Sequence, residues 1–279
     1  MTEERIHRAV SEDGTPIVGS VHGTGPALVL VHGAVADGES EWAELLPALS
    51  DRFTCYLPSL RGRGDSGDHP DHSWEARVRD VVAYVRSIDE PVGLVGASGG
   101  ATVVLGAANR LPGLTAVVAC EPPVYEVIDD GLLAEFQAAT DHMAAATEQG
   151  RRTEAVQPFF DLVLNDQEMA ALTADPEGLW VASQHLEADI AEFRAAIEWQ
   201  GPSPTDPSAL AGVTAPVLLL RGTHTALRWF SDGVDAAAEH LPDATVRDIP
   251  DAGHLGHLLY PEREAAEIIA FVEAAHQPA

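Results

Sequence analysis

Short apolar runs alternate with amphipathic stretches along most of this chain. Continuous apolar runs are read at Ala27–Val31, Phe53–Leu57, Val92–Val95, Thr115–Cys120, Val217–Leu220 and Ala244–Ile249. A strand that is apolar at consecutive positions is covered on both faces, the condition inside a parallel sheet. Ile6–Val10 and Pro16–His22 flank the turn "SEDG" and predict a hairpin. Helical stretches at Glu41–Leu49, Trp74–Ile88, Gly99–Arg110, Phe230–His240 and Pro261–Ala275 separate the runs. The fold class is therefore α/β, a mostly parallel twisted sheet flanked by helices.

One region breaks the rhythm. From about Glu126 to Gln200 the pattern is helical throughout, as in "LLAEFQAATDHMAAATEQ" and "LEADIAEFRAAIEW". Four or five successive helices cannot all cover one gap in a sheet, so the pattern predicts an inserted all-helical cap. "GPSPTDPS" then reads as the linker back to the sheet. The expected organisation is residues 1–124 as the first part of the core, 125–207 as the cap and 208–279 as the second part.

Composition narrows the partners. The chain has 279 residues and a net charge of −28, and all of its basic side chains except histidine are arginine. Such a surface repels phosphate backbones and anionic lipid, which argues against nucleic acid and membrane partners. The opening "MTEERIHRAV" lacks an apolar leader core, and no run approaches a membrane span, so the expected location is cytoplasmic. Cys55 and Cys120 lie in apolar strand-like runs and read as buried thiols. Neither clusters with histidine as a zinc site would, and no metal or cofactor is expected. Composition leaves a homodimer open.

The chemistry starts at "GASGG", Gly96 to Gly100, which follows the strand "VGLV" and opens a helix. G-x-S-x-G in that setting marks Ser98 as a candidate nucleophile at a strained turn, beside helix N–H groups that favour developing negative charge. The alternative is a glycine-rich turn with an ordinary capping serine.

With this motif the chain resembles the α/β-hydrolases that carry a helical cap. "LVLVHGAVADGESEW" is similar to the family's first long strand and oxyanion loop. "YLPSLRGRGDSGD" is similar to its second signature loop, although Ser59 stands where family members usually carry aspartate. "DAGHLGHLLYPE" resembles the closing histidine segment. The resemblance implies an oxyanion hole made by the backbone N–H of Gly99 and one from Gly33 or Ala34, with His32 propping that loop. It also implies His254 as the base, favoured over His257 because it directly follows Gly253 as in the motif.

In this family the triad acid usually follows the next-to-last strand. Here that loop, "RGTHTALRWFSDG", has no carboxylate between Gly222 and Asp232; Asp232 belongs to the following helix, and Asp251 lies in the histidine's own loop. Some relatives take the acid from the end of the preceding strand, where Glu121 stands. The stretch "GASGGATVV" with a cysteine, glutamate and proline further on resembles the zearalenone lactonase type. The alternative for Glu121 is a salt bridge to an arginine at the sheet edge. The cap offers Phe136, Phe159, Phe160, Trp180 and Phe193 for a pocket, with Trp180 and Phe160 as the chosen substrate contacts.

These readings imply a serine hydrolase that cleaves a carboxylic ester or lactone of a small, mostly apolar, neutral substrate through an acyl-enzyme. The alternatives are another reaction with the same triad, carbon–carbon bond hydrolysis or perhydrolysis, or a ligand receptor on a hydrolase scaffold.

Overall fold

The computed structural model describes residues 5–276. Eight strands form one sheet: β1 (Arg5–Val10), β2 (Pro16–His22), β3 (Ala27–Val31), β4 (Thr54–Pro58), β5 (Val92–Ala97), β6 (Val117–Cys120), β7 (Val217–Gly222) and β8 (Ala244–Ile249). Their order is β1-β2-β4-β3-β5-β6-β7-β8. The hairpin β1–β2 and the pair β2–β4 are antiparallel, and every other neighbour is parallel. Every residue of β3, β5 and β6 is buried. Alternate side chains of β3 enter opposite cores, Val29 and Val31 on one face, Leu28 and Leu30 on the other. This explains why such strands read as unbroken apolar runs.

Four helices precede the gap after β6: α1 (Gly38–Trp42), α2 (Leu46–Ser50), α3 (Trp74–Arg86) and α4 (Gly99–Ala108). The single helix expected over Glu41–Leu49 is split into α1 and α2. Pro47 falls in the first turn of α2, where its missing N–H costs nothing, whereas inside one long helix it would break the ladder. Between the end of β6 and residue 200 the chain makes six α-helices and no strand. These are α5 (Asp130–Glu148), α6 (Arg152–Ala155), α7 (Gln157–Val163), α8 (Asp166–Thr173), α9 (Pro176–Ala182) and α10 (Leu186–Ile197). They enclose a core of their own, including Met143, Val156, Phe159, Leu186 and Ile190. A short α11 (Pro207–Leu210) begins within the expected linker, and α12 (Arg228–His240), α13 (Gly256–Leu259) and α14 (Pro261–Ala275) complete the described residues.

The strand β8 is less buried than a continuous run implies: Arg247 and Asp248 are exposed because it is the sheet's edge. Asp248 pairs with Arg221 on β7 at 2.9 Å, and charges on an edge discourage pairing with another chain. Both cysteines are free and buried. Among the described residues no helix is long and apolar enough to cross a membrane.

Candidate active site

Chain order reverses direction across the sheet at β3, with β4 on one side and β5 on the other. In open α/β sheets the crevice beyond the strand ends at such a point is where ligands bind. The segments that follow β3, β5, β6, β7 and β8 all contribute here.

Ser98 joins β5 to α4 with φ +51° and ψ −125°. This backbone region is sparsely populated by residues with a side chain and persists only where surroundings enforce it. A Cβ on Gly96 would lie 2.5 Å from the carbonyl oxygen of Gly100, and one on Gly100 would collide with the carbonyls of Val31 and His32. Glycine at both places is what lets strand and helix approach closely enough for the turn. Glu121, directly after β6, also has a positive φ, +48°. The backbone N–H of Ser98 bonds to Cys120 and that of Glu121 to Leu220, so both residues are fixed by the last rungs of the sheet.

The side chains meet in one hydrogen-bonded chain. The Ser98 hydroxyl lies 3.1 Å from His254 Nε2, and His254 Nδ1 lies 2.6 Å from Glu121 Oε2. With the carboxylate accepting from Nδ1–H, Nε2 is left as the acceptor for the serine hydroxyl. The other Glu121 oxygen accepts from the Gly222 N–H at 2.8 Å and from the Thr225 hydroxyl. Glu121 is buried yet fully partnered, and its partner is a histidine, not an arginine at the sheet edge. Phe230 stacks on the imidazole with ring centroids 3.9 Å apart, a wall that restricts how the ring can turn.

The rival residues have other occupations. His257 is buried 3.4 Å from Glu41, and burial pushes its pKa down to about 3. Burial likewise pushes the Glu41 carboxyl up to about 7. Asp232 is a solvent-exposed partner of Arg228, and Asp251 pairs with Arg263 at 3.0 Å. His32 accepts from the Leu60 N–H at 2.9 Å and places Nδ1 2.7 Å from the Gly33 carbonyl, with a pKa lowered by burial to about 4. It holds the two loops together as a neutral ring.

Ser98, Gly99 and Ala34 are among the residues that line a cavity with about 40 Å³ of free space. Its walls are apolar, from Phe136, Phe159, Phe193, Trp229 and Phe230, with Glu192 as the charged exception. Gly33 is not among its lining residues, although a Cβ on Gly33 would lie 3.1 Å from the Ser98 Cβ. Of the three oxyanion candidates, Ala34 and Gly99 are lining residues.

Neither of the two expected substrate contacts, Trp180 and Phe160, lines this cavity. Trp180 is 57% exposed and lies away from this cavity. Phe160 lines a larger hollow of about 560 Å³, which Ala34 also borders together with Val35, Leu172 and Leu255. Adjacent helical residues point about 100° apart, so Phe159 reaches the cavity where Phe160 does not. Trp229 and Phe230 escaped sequence reasoning, although "LRWF" within the acid-free stretch is an aromatic pair at a helix start.

A buried ionic cluster borders the cavity. Arg63 lies 2.6 Å from both Asp189 and Glu192, and Glu192 also pairs with Arg77, which sits over the Trp74 ring. Burial works against the Glu192 carboxylate, but Arg77 and Arg63 together hold its pKa below the ordinary value. None of these arginines was singled out from the sequence, because a charged residue carries no sign of its own burial.

A model of the alpha/beta hydrolase family matches residues 28–268. Among curated proteins, pyrrolizixenacetamide deacetylase from Xenorhabdus hominickii is 37% identical over 99 residues, which is 34% of this chain and 36% of that protein. The chain thus aligns with only about a third of that relative's length. Pimeloyl-[acyl-carrier protein] methyl ester esterase from Stenotrophomonas maltophilia strain K279a is 28% identical, over 79% of this chain and 94% of that protein. Among solved structures, an alpha/beta hydrolase from Sphaerobacter thermophilus superimposes with a TM-score of 0.74 at 26% identity, covering 95% of this chain and 99% of the other.

Proposed function

The chain belongs to the alpha/beta hydrolase family, and we propose that it is a carboxylic ester hydrolase in which Ser98, His254 and Glu121 form the catalytic triad. The observation that carries this reading is the unbroken chain Ser98–His254–Glu121 opening on an apolar cavity shared with Ala34 and Gly99.

Ser98 Oγ attacks the substrate carbonyl as its proton passes to His254 Nε2. The carbonyl oxygen becomes an oxyanion facing the backbone N–H groups of Ala34 and Gly99. Donors already fixed before the reaction stabilise that charge, typically by about 3 kcal/mol each. Glu121 holds the imidazole in the tautomer that accepts at Nε2 and balances the imidazolium. The C–O bond to the alcohol then breaks, and the alkoxide takes the proton from His254. Water, deprotonated by the same nitrogen, attacks the acyl-enzyme, and Ser98 regains its proton as the acid leaves.

Substrate class follows from the walls. The cavity is aromatic and aliphatic apart from Glu192, and the molecule carries −28. Neutral apolar acyl groups suit it, and anionic ones meet repulsion. The placement of Glu121 resembles the zearalenone lactonase type, so lactones belong in the substrate set beside open-chain esters. The helical segment over residues 125–207 acts in this reading as the cap that closes the cavity from water.

The test is a panel of neutral esters and lactones with wild type and Ser98→Ala, together with labelling by a fluorophosphonate. Turnover and labelling by wild type, both lost in Ser98→Ala, support the reading. Full turnover by Ser98→Ala overturns it.

A further inference from the structure

The helical segment reaches the reacting groups at two places, each through a buried carboxylate. Asp189 on α10 accepts a hydrogen bond from the backbone N–H of Val35 at 3.0 Å. Glu168 on α8 accepts one from the backbone N–H of Leu255 at 2.5 Å. Val35 follows Ala34 and Leu255 follows His254, so each bond anchors the peptide immediately after a residue of the proposed machinery.

Both anchors show signs of being built for position. Val35 has φ +55°, a backbone region that a β-branched residue rarely adopts and that needs enforcement from outside. Asp189 supplies it from the far side of the sequence, held in turn by Arg63 at 2.6 Å. Glu168 also accepts from the Asn165 N–H at 3.0 Å, while the Asn165 side chain donates to the His224 carbonyl at 2.9 Å. That last bond steadies the loop carrying Thr225, which hydrogen-bonds Glu121. Both carboxylates are almost wholly buried, so neither bond competes with water.

We propose that Asp189 and Glu168 are positioning residues: the helical segment, besides covering the cavity, aims the Ala34 N–H through Asp189 and the His254 ring through Glu168. The inference rests on the triad reading above. A group misplaced by about an ångström can cost on the order of a hundredfold in rate without loosening substrate binding.

The experiment compares Asp189→Ala with Asp189→Asn, and Glu168→Ala with Glu168→Gln, using kcat and KM on a p-nitrophenyl butyrate assay. The inhibition constant of a trifluoromethyl ketone, which mimics the tetrahedral oxyanion, is read alongside. The amide variants keep an oxygen that can accept the Val35 or Leu255 N–H but lose the charge. Each alanine variant is expected to lose about tenfold to a hundredfold in kcat, with KM within about twofold. The amides are expected to recover most of that loss. Inhibitor affinity falls in step with kcat for Asp189→Ala. Glu187→Gln, an exposed change on the same helix, serves as a control expected to keep wild-type kinetics.

Should Asp189→Ala fail to fold, its amide partner and the independent Glu168 pair still decide the matter. Unchanged kcat, amides no better than alanines, or losses confined to KM overturn the proposal while leaving the triad reading intact. Absence of turnover and of Ser98 labelling in wild type overturns both.

Discussion

The carboxylate of Glu121 shows how one residue's surroundings decide what it can do. A buried carboxylate needs partners for both oxygens, and here one oxygen meets His254 while the other meets Gly222 and Thr225. Thr225 lies in the loop after β7, where relatives usually carry the acid, and supplies a hydroxyl to Glu121 instead. Replacing Glu121 by glutamine leaves the shape but presents an amide to Nδ1, so the ring is held in the wrong tautomer. A kcat reduced by about 10³- to 10⁴-fold is expected, with KM little changed. Because the Thr225 hydroxyl already touches Glu121 Oε1, an aspartate at 225 can reach toward the imidazole. The double variant Glu121→Gln/Thr225→Asp is therefore expected to regain at least about tenfold in kcat over Glu121→Gln alone, measured on the same ester. No regain would mean that a carboxylate on the β7 loop cannot reach the ring.

At the scale of elements, the strands were legible because burial on both faces leaves an unbroken apolar run, as in "ALVLV" and "VVAC". Ser98 and Glu121 stand directly after β5 and β6, ends that the pattern could mark, whereas His254 lies beyond the turn after β8 and was marked only by the resemblance of its segment. What it could not mark was the phase of the helices around them. Phe159 and Phe160 are equivalent in any composition, yet a turn of about 100° sends one to the cavity and the other to a different hollow. The burial of Arg63 and Arg77 was equally hidden, since it depends on carboxylates more than a hundred residues away. Phase also determines which residue tunes the substrate. Leu133 on α5 lines the cavity yet is only partly buried, so Leu133→Ala widens the pocket without opening a sealed core void. It is expected to cost under about 2 kcal/mol of stability, below the usual range for fully buried leucines. The kcat/KM profile across p-nitrophenyl esters should shift its maximum toward longer acyl chains. An unchanged profile would show that acyl groups do not occupy this end of the cavity.

For the molecule as a whole, an acidic exterior encloses ionisable groups that burial keeps neutral. Burial pushes the pKa of His32 down to about 4 and of His257 to about 3, and pushes the carboxyls of Glu41 and Glu264 up to about 7. Each pair gives stability the opposite dependence on pH. Below about 6.5 the unfolded chain protonates both histidines while the native state does not, so acid favours unfolding. Above about 4.5 the unfolded chain ionises both carboxyls while the native state keeps them protonated up to about 7, so base favours unfolding there. Between about pH 4.5 and 6.5 the two proton counts cancel, and these four groups leave stability level. Below 4.5 the carboxyls are protonated in both states and only the histidines still differ. Stability should then fall by up to about 2.7 kcal/mol per pH unit until the native histidines titrate near pH 4 and 3. Asp37 adds to the loss at the bottom of that range. Burial alone would raise its pKa, but hydrogen bonds from His185 and Ser40 hold it well below the ordinary value. Urea unfolding at pH 6, 5, 4 and 3.5 measures the profile. His257→Gln, which removes one of the two histidines, should make the acid limb shallower by up to about 1.4 kcal/mol per pH unit; an acid limb unchanged in that variant would mean that His257 is not kept neutral by its burial.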